Sequence, residues 1–144
     1  MAGHWRGIAF NQVPNSANQI HGDEMARRFG FKGGLVPGVT VSAYLLHPVA
    51  ETLGMEFLER GYAHCQVNSP LYDHETFEVE IRGQSLQHYH TCLKRDSGEL
   101  LAFAETSIPA VSPPPVLRGD PVGNEPVDML ATRENFARLQ DNGC

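Results

Sequence analysis

The side chains best suited to proton transfer at neutral pH stand in the first third of the chain. His21 closes the run Asn18-Gln19-Ile20-His21. A short polar segment then leads to Gly33-Gly34-Leu35-Val36-Pro37-Gly38 and a long apolar stretch. An imidazole can take up and return a proton near pH 7, and the unpaired amides at a helix N-terminus stabilise developing negative charge. Together they suit a reaction at a carbonyl.

Other pairings carry less chemistry. Ser16 and His21 can be drawn as a nucleophile and its base, but no third group is identifiable to orient the imidazole, and Ser16 reads more simply as a cap or turn residue. His47 and Glu51, four residues apart, read as a structural hydrogen bond near a helix kink. His88 and His90 alternate and should point the same way from one strand. No third ligand follows at a recognisable spacing, so no metal site is assigned. Cys65, Cys92 and Cys144 are odd in number and lack CxxC spacing, which supports neither a disulfide framework nor a zinc site. Cys65 and Cys92 read as small buried apolar residues, and Trp5 and Phe10 as packing residues. His64 and His74 flank an expected turn and receive no role.

The elements that must hold His21 follow from periodicity. Gly22 to Gly30 reads as a short helix with Asp23 as its N-cap, Arg27 and Arg28 near its end and Gly30 to stop it. From Val39 to Leu58 apolar residues fall on nearly every side, which predicts a helix surrounded by protein and kinked or interrupted at Pro48. Thr76 to Gln84 alternates Phe77, Val79 and Ile81 with Glu78, Glu80 and Arg82, the pattern of an antiparallel strand wet on one face. Asp96-Ser97-Gly98 marks a turn between the strand-like runs Gln87 to Lys94 and Leu100 to Ile108. Shorter strands are expected around Ile8 to Phe10 and Ala63 to Val67. The order is strand, short helix, buried helix, then four strands, implying a curved antiparallel sheet around one helix.

The 144 residues, 41% of them hydrophobic, suffice for one domain with its own core, placed at residues 1–110. Ser112-Pro113-Pro114-Pro115 cannot continue a strand, so residues 111–144 are expected to form a Pro-rich arm with a short amphipathic helix over Met129 to Leu139. A formal charge of -6, with 11 Lys and Arg and no cluster beyond Arg27-Arg28, argues against a nucleic-acid partner. Nothing resembles a signal peptide or a membrane span, and the cysteine usage fits a reducing cytoplasm.

The order of elements, the Asn18-x-Ile20-His21 sequence and the Gly33-to-Gly38 approach to a buried helix together resemble the MaoC-like, R-specific enoyl-CoA hydratase branch of the hotdog-fold superfamily, over about residues 5 to 110. The family signature reads Gly-Asp-x-Asn-Pro-(Ile/Leu/Val)-His. In the same frame Asn18, Ile20 and His21 match, and Ser16 stands where the family has aspartate. Where the family commonly has Ile-Val-His-Gly, this chain has Leu35-Val36-Pro37-Gly38, keeping the glycine without the histidine. Ser69 to Thr76 looks like the family's turn into the next strand.

The resemblance implies an α+β hotdog fold, a curved antiparallel sheet wrapped around a central buried helix, and a homodimer whose subunits share the site walls. It implies an acyl thioester substrate, of coenzyme A, hydrated or dehydrated at the 2,3-position, with no other cofactor. His21 would be the acid-base residue, Asn18 would orient water or the imidazole, and the amide region of Gly38 would hold the thioester oxygen. Ser16, Gly34 and Val36 would contact substrate, and Arg28 and Lys32 would form a cationic rim with Arg27. Two other functions remain open at this level. A thioesterase needs one base and oxyanion donors, with Glu51 or Asp23 as its carboxylate. A hotdog without catalysis would bind an apolar ligand, in keeping with the serine at position 16.

Overall fold

The computed structural model describes residues 2–15, 19–83, 85, 87–109 and 132–134. Ser16 and Asn18 lie outside them, as does the expected C-terminal arm with its helix apart from residues 132–134. Five strands, β1 (Ala2–Ile8), β2 (Tyr62–Val67), β3 (Thr76–Gly83), β4 (His88–Arg95) and β5 (Leu100–Ser107), form one antiparallel sheet in the order β1-β3-β4-β5-β2. Three helices, α1 (Asp23–Arg28), α2 (Gly38–Leu53) and α3 (Met55–Arg60), fall between β1 and β2. The expected order of elements is the observed one.

In β3 the alternation resolves as read, with Phe77, Val79 and Ile81 buried against α2. Opposite them Val41, Leu45 and Val49 of α2 are buried, and Leu71, Leu93, Leu101, Ala102 and Ala104 complete the layer between helix and sheet. The β4–β5 hairpin turns where expected, with Gly98 at φ 85 and its amide bonded to the Arg95 carbonyl. One extra residue sits in β5: Leu93 pairs with Ala102 and Lys94 with Leu100, so Leu101 bulges inward. Bulges redirect backbone groups locally. This one aims its carbonyl at the chain leaving β2.

Four expectations are corrected. β1 runs from Ala2 to Ile8 and not around Ile8 to Phe10. Its inward glycines masked the pattern: a Cβ on Gly7 would stand 2.7 Å from the Phe77 ring, and one on Gly3 would stand 3.0 Å from Ile81. Next, α1 is capped by Gly22, and Asp23 is its first residue. Third, α2 is not interrupted at Pro48 but runs through it and stops at Gly54, whose φ of 65° and ψ of -150° suit glycine alone. Last, α2 and α3 are not enclosed on all sides in the single chain, since Val39, Met55 and Leu58 are 80%, 65% and 65% exposed. No helix among the described residues is long and apolar enough to cross a membrane.

Candidate functional site

His21 ends a single 3-10 turn, Gln19–His21, whose position is set from three directions. The Leu35 amide donates to the Ile20 carbonyl at 3.0 Å, and buried Asn11 donates through Nδ2 to the His21 carbonyl at 2.8 Å. The Asn11 amide in turn donates to Asp73 at 2.8 Å. Gly34 lies against the same carbonyl: an added Cβ would come within 2.2 Å of the His21 oxygen. Its amide donates to Asp23 Oδ1 at 2.8 Å, so the Asp23 carboxylate braces the glycine loop instead of capping its own helix.

The imidazole is oriented by the same loop. Nδ1–H of His21 donates to the Leu35 carbonyl at 2.7 Å. A backbone acceptor on one ring nitrogen fixes the neutral tautomer and puts the lone pair on the other, so Nε2 is the basic nitrogen here. Val36 then bonds to the Leu71 carbonyl at 2.9 Å, and Leu35 bridges Tyr72, which seats the start of α2 beside the segment that follows β2.

One cavity of about 220 Å³ collects these parts. It is lined by His21, Gly38 and an apolar set that includes Val36, Val41 and Leu71, with Asn68 and Ser69 on the far wall. Thr40 and Val41 amides bond back to the Pro37 carbonyl. The Gly38 and Val39 amides precede them and have no acceptor within the helix. A Cβ at Gly38 would meet nothing within 4 Å, so the space beside Gly38 is open. Among the described residues lining the cavity, His21 alone carries an imidazole.

The far wall depends on the bulge. Asn68 and Ser69 amides both donate to the Leu101 carbonyl, at 2.8 and 3.1 Å. Gln66 Nε2 donates to Asn68 Oδ1 at 2.8 Å, which directs the Asn68 amide NH₂ the other way. In the sequence Ser69 reads only as the start of a turn and Asn68 not at all, because their place in the wall depends on pairing with Leu101, more than thirty positions away.

The remaining candidates are distributed differently. Val36 lines the His21 cavity, whereas Gly34, Lys32, Asp23 and Arg27 line a second cleft of about 350 Å³ with Tyr72, Asp73, His74 and Glu75. Lys32 Nζ lies 5.9 Å from the Tyr72 ring centre. Arg28 pairs with Glu24 at 2.6 Å and Arg27 with Asp23 at 3.2 Å, so these cations have carboxylate partners within α1. His47 and Glu51 are 3.5 Å apart and line neither cavity; His47 instead packs 4.4 Å from Trp5, within an aromatic group that includes Tyr44 and Phe77. Phe10, read as a packing residue, is exposed. His90 stacks toward Phe103 and stands 3.5 Å from Cys92 Sγ; no three metal-ligating side chains converge among the described residues.

No protein-family model and no curated protein matches the chain. Solved structures do match. They include the R-hydratase PhaJ1 of Pseudomonas aeruginosa (14% identity, TM-score 0.54, 83% of this chain and 91% of that one). The (R)-hydratase from A. caviae involved in PHA biosynthesis matches at 14% identity and TM-score 0.52, over 76% and 95%. The protein SAV2348 of Staphylococcus aureus, solved in complex with CoA, matches at 11% and 0.51, over 87% and 98%. At such identities the likeness is one of architecture, and with the sheet order and the helix it encloses it shows that this chain adopts the α+β hotdog fold.

Proposed function

We propose that the chain acts on an acyl thioester held in the His21 cavity, adding or removing water at the 2,3-position. The observation that carries this reading is the joint presence, in one cavity, of an imidazole held in a single tautomer and the open N-terminal turn of α2. In hydration, Nε2 of His21 takes a proton from water as the water oxygen bonds to the β-carbon. The double-bond electrons move to the thioester oxygen, and the amides at Gly38 and Val39 stabilise the resulting enolate. The imidazolium then returns its proton to the α-carbon. One side chain serves first as base and then as acid, so the step closes without a second titrating group.

Asn18 is assigned to orient the water, with Ser16 beside it where the resembled hydratases have aspartate. The acyl carrier is assigned as coenzyme A, in line with the CoA complex of one structural neighbour, and no further cofactor is invoked. The exposed Val39, Met55 and Leu58, together with an edge of β2 that no strand pairs among the described residues, support a homodimer. Hydrolysis of the thioester is a second reading, favoured by one feature: no carboxylate lines the cavity among the described residues, and hydrolysis asks only for a base and oxyanion donors.

The test is incubation with 2-enoyl- and saturated acyl-CoA esters, product analysis by mass spectrometry, and His21→Ala as control. The expected product is the intact enoyl ester plus one water, with turnover lowered about 10²- to 10⁴-fold in the variant. Free coenzyme A and the released acid would transfer the assignment to hydrolysis. No product across the panel would overturn both.

A further inference from the structure

Arg95 ends β4, and its side chain is only 16% exposed. Nη2 donates to the Pro70 carbonyl at 2.9 Å, and Nη1 lies 3.3 Å from Glu99 Oε2 and 3.8 Å from Glu75 Oε1. Nε is buried and has no partner among the described residues. A guanidinium drawn out of water with one donor unsatisfied destabilises a fold relative to an apolar side chain of the same volume. Filling space therefore does not account for this arginine. What a guanidinium does and an apolar side chain does not is grip two acceptors at once, here both ends of one turn, Pro70 and Glu75.

That turn carries the wall against which the His21 loop rests. Pro70 and Leu71 line the His21 cavity. Glu75, facing Arg95 through one carboxylate oxygen, accepts from the Tyr72 amide at 3.0 Å through the other. Between the two gripped ends the Leu71 carbonyl accepts from the Val36 amide, and Tyr72 bridges Leu35. The Leu35 carbonyl is the acceptor for Nδ1–H of His21. We infer that Arg95 is a positioning residue for His21: it sets the turn at 70–75, the turn sets Leu35, and the Leu35 carbonyl sets the tautomer and heading of the imidazole. The inference rests on the reading of His21 as the acid-base residue and extends it to a side chain that does not line the cavity. The same turn is also tied to the chain after β1, through the Asn11 amide on Asp73 and the His74 amide on the Ala9 carbonyl. Loss of Arg95 should therefore shift the turn without unfolding it.

The test pairs a ring signature with kinetics in Arg95→Met and Arg95→Lys. The two ring nitrogens of His21 are read by NMR in nitrogen-15-labelled protein without substrate, assigned against His21→Ala. Turnover of 2-enoyl-CoA is measured where urea unfolding shows each variant fully folded. The parent should give the well-separated nitrogen signals of the Nδ1–H form. In Arg95→Met the two signals should move toward each other as the Nε2–H form becomes populated. There kcat should fall by about 10- to 100-fold, as for a displaced catalytic group, with KM changed far less. Arg95→Lys, a point charge in place of a fork, should lie between the two, and it carries the test should Arg95→Met fail to fold. A folded variant that keeps the parent's ring signals, or shifts them with kcat unchanged, would overturn the inference whatever its urea midpoint. Shifted ring signals in a protein whose parent turns over no ester would keep the positioning role and sink the thioester reading.

Discussion

Gly34 and Gly38 lie four residues apart and answer to different constraints. Gly34 has the His21 carbonyl where a Cβ would be, so Gly34→Ala must push the His21 turn aside. We expect it to lower stability by about 1–3 kcal/mol, the usual cost of overpacking, measured by urea unfolding. At Gly38 no protein atom is near, and alanine is the better helix former. Gly38→Ala should therefore leave the urea midpoint unchanged or slightly raised while kcat/KM on the enoyl ester falls, because the methyl group adds bulk to a residue that lines the cavity. A parallel loss of stability in both variants would remove the distinction. The cysteines offer a test by pH. Burial pushes the Cys65 thiol up, against a weaker opposing hydrogen bond from Ser42, and burial likewise raises Cys92. The thiolate is the reactive form, so both should alkylate more slowly in the native than in the urea-unfolded protein at pH 8. The gap should narrow as pH rises through the native pKa values. Peptide mass spectrometry of iodoacetamide-treated protein resolves each site.

At the level of elements, β4 holds two buried side-chain polar atoms without a hydrogen-bond partner among the described residues, Thr91 Oγ1 and Arg95 Nε. Thr91 of β4 is fully buried, and its hydroxyl has no hydrogen-bond partner among the described residues. Replacing an unsatisfied buried hydroxyl by an apolar group of the same shape is neutral or favourable, so Thr91→Val should raise unfolding stability by up to about 1 kcal/mol. Local patterns were legible in the sequence: the alternation of β3, the Asp96–Gly98 turn and the order of elements depend on neighbours within a few residues. Features set by distant partners were not. β1 hid because Gly3 and Gly7 give way to Ile81 and Phe77, and the Asn68–Ser69 wall depends on the carbonyl of a bulge in β5. Pro48 drew attention as a helix breaker, although the helix continues past it and ends at a glycine with a backbone conformation that side chains oppose. His21 was legible because a histidine, a glycine loop and an apolar helix occur in one short span.

For the whole molecule, Val39, Met55 and Leu58 are large apolar side chains that a single chain leaves exposed. Sedimentation equilibrium should give twice the chain mass of 15.9 kDa, and a monomer throughout the micromolar range would remove the proposed dimer. The His21 site is assembled chiefly from main-chain contacts: Leu35 oxygen to the imidazole, Leu35 amide to Ile20, Val36 amide to Leu71, and two amides to Leu101. Peptide groups are the same in every residue except proline, so the architecture of such a site can persist while most letters around it drift. The likeness in three dimensions at 11–14% identity, in a chain that no family model matches, is one of fold.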